Sequence, residues 1–215
     1  MKEVISVSRA MEQMRSGMRV MIAGFLGVGS PLKLIDGLLE TGCTDLTLIA
    51  NDADHPGRGI GKLIAAKRVR KGIFTHIGKN PEVAEQMRSG DIDVELVPQG
   101  TMSERMRCAG AGLGGVLTPT GVGTLVAEGK QCLTVNGKEY LLEMPLAGDV
   151  ALIKAHIADK AGNLVFRRAA RNFNPLMAMG GGTVIVEAEH IVDVGELDPD
   201  AVMIPGVFVS ALVQG

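Results

Sequence analysis

The chain has 215 residues, with 22 Lys and Arg against 24 Asp and Glu and a formal net charge of −2. That balance excludes the basic footprint of a nucleic-acid binder, and no long block of like charge supplies one locally. Against 29 Gly stand five Phe, one Tyr and no Trp, with a mean hydropathy of +0.23. The glycines therefore mark tight turns between buried strands, because a disordered chain would be polar.

In chain order, Ser8 is placed to cap a first helix that carries Ala10, Met11 and Met14 and stops at Gly17. The run 18–23 is apolar except for Arg19, as a strand covered on both faces should be. Ser30-Pro31 then predicts a helix start, with Ser as N-cap and Pro in the first turn, and a helix over 31–40. The cycle repeats: strand 46–50 leads to a helix over 61–67, and the basic run Lys67-Arg68-Val69-Arg70-Lys71 reads as its solvated end. Strand 73–77 leads to the cap Asn80-Pro81 and a helix over 82–88. Strand 94–98 leads to a helix-like stretch over 102–108.

Four strand-then-helix cycles predict an α/β fold, an open doubly wound and mostly parallel sheet with helices on both faces. The rhythm then breaks. The Gly-rich segment 110–123 reads as an irregular loop. The runs 131–135 and 138–142 flank Asn136-Gly137, a strong hairpin signal because both residues tolerate positive φ. Runs 150–157 and 183–187 read as further strands, so the C-terminal third is expected to be a β-rich extension of the same fold. No linker interrupts the chain, and residues 1–215 read as one domain.

Cys43, Cys108 and Cys132 are odd in number, form no CxxC and have no His at ligand spacing, so neither a disulfide framework nor a metal site is expected. The N-terminus lacks the apolar run of a signal peptide, and no apolar stretch approaches the ~20 residues of a membrane span. A cytoplasmic protein without membrane partners is the expectation.

Three glycine patterns resemble nucleotide motifs by spelling. Gly110-Ala111-Gly112-Leu113-Gly114-Gly115 follows a helix-like segment and not a strand, which argues against a dinucleotide fingerprint. Gly61-Lys62 lacks both the preceding Gly and the following Ser or Thr of a phosphate-binding loop. Gly24-Phe25-Leu26-Gly27-Val28-Gly29-Ser30-Pro31 is better placed, between a buried strand and a helix start. Backbone N–H groups there can approach a phosphate or a developing oxyanion, or the glycines can simply permit a tight turn. Spacing alone leaves both readings open.

The stretch Ser16-Gly17-Met18-Arg19-Val20-Met21-Ile22-Ala23-Gly24-Phe25-Leu26-Gly27-Val28-Gly29-Ser30-Pro31 resembles the first signature of the class I coenzyme A transferases. That family usually has Asp or Asn at the position of Ser16 and a Gly-Gly pair at Ala23-Gly24. Four further stretches are similar to its α subunit, in order along the chain. They are Leu46-Thr47-Leu48-Ile49-Ala50-Asn51-Asp52, Val97-Pro98-Gln99-Gly100-Thr101, Thr118-Pro119-Thr120-Gly121-Val122-Gly123-Thr124 and Ala170-Arg171-Asn172-Phe173-Asn174-Pro175.

The resemblance implies an enzyme that moves coenzyme A between an acyl-CoA and a short-chain carboxylate or 3-oxoacid, with CoA as substrate and no permanently bound cofactor. It implies a β-subunit partner carrying the nucleophilic Glu in a Ser-Glu-Asn-Gly setting, in a hetero-oligomer with two copies of each subunit. No such tetrapeptide occurs here. On this chain it points to Ala23, Gly24, Phe25, Leu26, Gly27, Val28 and Gly29 as the CoA and oxyanion loop. It points also to Gln99, at the carboxyl end of strand 94–98, as an oxyanion donor; a helix-start residue capping its own backbone is the other reading of Gln99.

Glu128, in a loop before Gly129, reads as a solvated carboxylate. His55, His76, His156 and His190 are scattered, with His76 expected in a buried strand and His190 beyond one, and read as structural. Asn172 and Asn174 read as helix caps near Pro175, or as shapers of the site's edge. The alternative function is a non-catalytic sensor of a CoA ester or sugar phosphate. Sugar-phosphate isomerases share the broad architecture, but the Lys and carboxylate pair they need is not evident.

Overall fold

The computed structural model describes residues 1–215. In chain order the elements are β1 (Glu3–Val4), α1 (Val7–Met11), β2 (Arg19–Ile22), α2 (Leu32–Glu40), β3 (Leu46–Ile49), α3 (Ile60–Ala65) and β4 (Val69–Phe74). Then come α4 (Pro81–Ser89), β5 (Asp93–Leu96), α5 (Gln99–Gly110), β6 (Val116–Thr118), β7 (Cys132–Val135), β8 (Lys138–Glu143) and β9 (Gly148–Asp159). The chain ends with β10 (Leu164–Val165), α6 (Asn174–Gly180), β11 (Gly181–Val192) and β12 (Ala211–Gln214). No helix is long and apolar enough to cross a membrane.

The main sheet has the order β1-β12-β11-β9-β2-β3-β4-β5, parallel at each pairing, with the short β10 antiparallel to β9. From β2 the chain winds outward through β3, β4 and β5. It later returns to the other side of β2 and winds outward through β9, β11 and β12. Because such crossovers are right-handed, reversing direction puts the connecting helices on opposite faces. Val20, Ile22, Val150 and Leu152 face a core that includes residues of α1 to α4, while Met21, Ala23, Ala151 and Ile153 face one built on α5 and α6. The expected doubly wound architecture is present. The β-rich C-terminal third supplies the other half of the sheet, and β6-β8-β7 form a separate antiparallel sheet.

Several elements differ locally from expectation. The cap of α1 is Ser6, whose Oγ accepts the Arg9 N–H at 3.1 Å, and not Ser8. The basic run after Lys67 is not a helix end but the start of β4. Val69 there is buried, and the Lys71 ammonium lies 3.5 Å from Asp93 and 3.7 Å from Glu95 on the adjacent strand. Cross-strand ion pairs let a polar sequence hold a strand. As β4 ends at Phe74, His76 stands exposed beyond the strand, whereas His190 lies inside β11. The Gly-rich segment 110–123 contains β6, paired antiparallel with β8. The hairpin forms as expected, with Asn136 and Gly137 at φ 51° and 76°.

The start of α2 is the most instructive difference. Ser30 makes no capping bond; Pro31 occupies the cap position without one, and the helix begins at Leu32. The buried carboxylate of Glu187, from β11, accepts the Lys33 and Leu34 N–H groups at 2.8 and 3.3 Å. A negative group against a helix N-terminus is favourable, and here it comes from the sheet.

Candidate active site

The reversal of strand order between β2 and β9 creates a crevice at the carboxyl ends of the strands, the usual ligand position in open α/β sheets. Residues 23–29 leave β2 at that point. Ala23 completes the strand: its side chain is buried in the α5–α6 core and its N–H donates to Leu152 O at 3.0 Å. Gly24 follows at φ +130°, and a Cβ there would fall 2.2 Å from Ser30 Oγ, so only glycine fits.

Phe25 and Val28 then exchange backbone hydrogen bonds at 3.1 and 3.0 Å around Leu26 and Gly27, whose φ values are 47° and 80°. Two successive left-handed residues match a type I′ turn, and a Leu in that conformation must be held by its surroundings. Asp52 holds it, accepting the Leu26 N–H on Oδ2 at 2.8 Å. The amides of Phe25, Leu26 and Val28 are thus used inside the protein. Those of Gly24, Gly27 and Gly29 donate to no protein group.

The far side of the loop is tied to the residues that lead into and open α6. Asn172 Nδ2 donates to Val28 O at 2.9 Å, and Asn174 Nδ2 to Gly29 O at 3.0 Å. Neither asparagine caps the helix. Beside Val28 and Gly29 opens a cavity of about 370 Å³, lined also by Lys154, His156, Arg167, Arg168 and Glu189. Glu189 bonds His156 Nδ1 at 2.7 Å and lies 3.4 Å from Lys154. The hydrogen bond from His156 holds its carboxyl below the usual value of 4.5. On the other flank, the Arg58 guanidinium sits over Gly27, 2.6 Å from where a Cβ would be. This edge favours an anion.

Gln99 opens α5 at the end of β5, on the same edge as the loop. Its Nε2 donates to Asn51 Oδ1 at 2.7 Å; Asn51 Nδ2 donates to Asp52 Oδ2 at 2.8 Å, the oxygen that also receives Leu26 N–H. Gln99 is exposed, while Asn51 and Asp52 are buried. It makes no cap bond with its own backbone, and Pro98 holds the cap position. Asp54, close by, is pushed above the usual 3.8 chiefly by burial, opposed by the His55 N–H and by Arg58. Glu128 is exposed and in no ion pair.

The structure therefore brings Gly24–Gly29 and Gln99 onto one edge and links them through Asn51 and Asp52. Sequence reasoning did not single these two out for a role at the site. The residues they join lie 26 and 48 positions away, and no local spacing reports such a link.

A match to the family model described as "Coenzyme A transferase" runs over residues 4–215. The chain belongs to the coenzyme A transferase family. Among relatives, it is 54% identical to the acetate CoA-transferase subunit alpha of Escherichia coli strain K12, over 93% of this chain and 90% of that one. It is 50% identical to the acetoacetyl-CoA:acetate/butyrate CoA transferase alpha subunit of Clostridium acetobutylicum, over 93% and 92%. The fold of this family member also matches the crystal structure of the acyl-CoA transferase YdiF from E. coli O157:H7, a thioester complex with CoA, at a TM-score of 0.87 and 22% identity. All of this chain is covered there, and it spans 47% of the YdiF chain.

Proposed function

We propose that this chain is the α subunit of a CoA transferase acting on short-chain carboxylates or 3-oxoacids, and that it works with a β subunit that brings the nucleophilic Glu. The observation that carries this reading is that three unpaired glycine amides at the switch point and the Gln99 carboxamide lie on one edge of the sheet, linked through Asn51 and Asp52. The names of the two α-subunit relatives, acetate in one and acetate/butyrate with acetoacetyl-CoA in the other, favour this substrate class. CoA is then a substrate and not a resident cofactor. A hetero-oligomer with two copies of each subunit, working in the cytoplasm, completes the reading.

In this scheme the partner's carboxylate attacks the thioester carbonyl. The C–O bond forms, the carbonyl electrons move onto oxygen, and collapse expels CoA thiolate to leave an acyl–glutamyl anhydride. The thiolate then attacks the glutamyl carbonyl, releasing the carboxylate product and leaving a glutamyl–CoA thioester, and the acceptor carboxylate takes the CoA by the reverse steps. Each addition places negative charge on a carbonyl oxygen. Preorganised N–H donors stabilise such charge, and the second Nε2 hydrogen of Gln99 and the free glycine amides are of the right kind. The cavity beside Val28 and Gly29, where Lys154, Arg167 and Arg168 outnumber the carboxylates of Glu189 and the adjacent Glu187, suits the phosphates of CoA.

The test is reconstitution. The isolated chain should show no CoA transfer, and adding its β partner should restore it. Robust turnover by the isolated chain would remove the two-subunit reading. Binding of a CoA ester without turnover, partner present, would favour a sensor.

A further inference from the structure

Gln99 can help an oxyanion only if its carboxamide presents nitrogen and not oxygen, and an amide on an exposed residue is free to turn over. What fixes it here is a chain of three side chains that ends in a group with no ambiguity. An ionised carboxylate only accepts hydrogen bonds. Asp52 uses both oxygens: Oδ1 receives the Asp54 N–H at 2.9 Å, and Oδ2 receives Leu26 N–H and Asn51 Nδ2, each at 2.8 Å. Asn51 must therefore turn its NH2 toward Asp52 and its oxygen away. That oxygen accepts from Thr75 Oγ1 at 3.0 Å and from Gln99 Nε2 at 2.7 Å. Were the Gln99 amide reversed, two oxygens would face each other at that distance.

We propose that Asp52, acting through Asn51, is a positioning residue that sets the orientation of the Gln99 carboxamide and fixes it relative to the Gly24–Gly29 loop. The geometry gives a reason for both to be buried, with Asn51 3% and Asp52 5% exposed: water cannot compete for their bonds. It also explains why one Asp52 oxygen serves both Leu26 N–H and the Asn51 amide. The loop's turn and the Gln99 donor share one anchor. This inference rests on the role given to Gln99 above.

A double-mutant cycle in the reconstituted two-subunit enzyme separates the two ideas. Gln99→Ala should lower kcat by about 10²–10³, as for loss of one oxyanion donor. Asn51→Leu, which breaks the relay but leaves the bonds of Asp52 to Leu26 and Asp54, should lower kcat with little change in KM. Combined with Gln99→Ala, it should add nothing. Asn51→Asp supplies a second reading that does not depend on how the Leu variant folds. Two adjoining carboxylates cannot both ionise easily, so this variant holds a proton at acid pH. In the Asn51→Asp variant the protonated side chain donates to Asp52 and accepts from Gln99 as Asn does; ionised, it still accepts from Gln99 but repels Asp52, so the acceptor swings off its anchor and carries the Gln99 amide away from the loop. The other charged or titratable groups nearby are Asp54, His55 and Arg58 on the following loop and His76, whose backbone pairs with that of Asp52 just beyond the end of β4. The parent enzyme shares them.

The ratio of Asn51→Asp activity to parent activity should therefore rise as pH falls, and it should stay flat in the Gln99→Ala background. Full activity of Gln99→Ala would overturn the role of Gln99 and this proposal with it. A slow Gln99→Ala, with Asn51→Leu losses that multiply onto it or an Asn51→Asp ratio flat with pH, would overturn the positioning role alone.

Discussion

The Asn174 carboxamide reaches from the start of α6 to Gly29, donating to its carbonyl at 3.0 Å, while its own oxygen accepts the Lys154 N–H of β9 at 2.7 Å. A second bond from Nδ2 reaches Ala170 O at 2.9 Å, and the residue is fully buried. One side chain thus joins the Gly-rich loop, the strand beside it and the turn that carries Arg167 and Arg168.

Asn174→Leu, similar in volume, leaves those three backbone groups without their partner. Gly29, Lys154 and Ala170 are only half-buried, so water can take over part of what is lost; at ~0.5–1.5 kcal/mol for each hydrogen bond, the variant should lose about 1–3 kcal/mol in a urea titration. The loop it tethers should loosen, raising KM for acyl-CoA. An unchanged unfolding midpoint would show that the loop is held by its own turn.

Glu187 gives a pH test. Burial, the largest influence, pushes its carboxyl above the usual 4.5 although the Leu34 and Lys33 N–H groups and Lys154 oppose it. A carboxyl whose folded value is raised binds its proton more tightly folded than unfolded, so stability falls as pH rises through that window. Glu187→Gln keeps an oxygen for α2 but cannot ionise. The stability of the parent relative to Glu187→Gln should therefore grow as pH falls from 7.5 toward the unfolded value and level off below it. Thermal melts of both proteins across that range check this; a difference independent of pH would contradict it.

Much of this fold was legible because buried parallel strands leave continuous apolar runs, as at Val20 to Ile22 and Leu46 to Ile49, and because Asn80-Pro81 and Asn136-Gly137 act within a few residues. Contacts over long sequence distances were not legible. Glu187 caps α2 from 154 positions away, replacing the local cap expected of Ser30. The Gln99–Asn51–Asp52–Leu26 chain exists only because the four adjacent parallel strands β2, β3, β4 and β5 end on one edge, so that Gln99 after β5 reaches Asn51 after β3. β4 was misplaced because its start is basic, and its pairing with acidic β5 is visible only in the sheet.

Gly27 and Gly42 offer a matched pair for the loop's role. Both are left-handed, at φ +80° and +72°, so alanine strains the backbone equally at either, on the order of 1 kcal/mol. Around Gly42, past the end of α2, a Cβ meets nothing within 4 Å. At Gly27 the three nearest atoms all belong to the flexible guanidinium end of Arg58, which can move aside. A valine there would confuse the test, since a β-branched residue at positive φ adds strain of its own. The two alanine variants should therefore melt together, slightly below the parent. Their kinetics should part. If CoA or the reacting carbonyl approaches the Gly27 amide, Gly27→Ala should lower kcat/KM roughly tenfold or more, while Gly42→Ala stays within about twofold of the parent. Displacement of Arg58 is a second route to the same loss, and Arg58→Ala measures it. Should Arg58→Ala alone reproduce the whole defect, the loop contributes through the guanidinium it seats. If instead Arg58→Ala is mild and Gly27→Ala severe, the backbone itself faces the substrate, and normal kinetics for Gly27→Ala would reduce the loop to a turn.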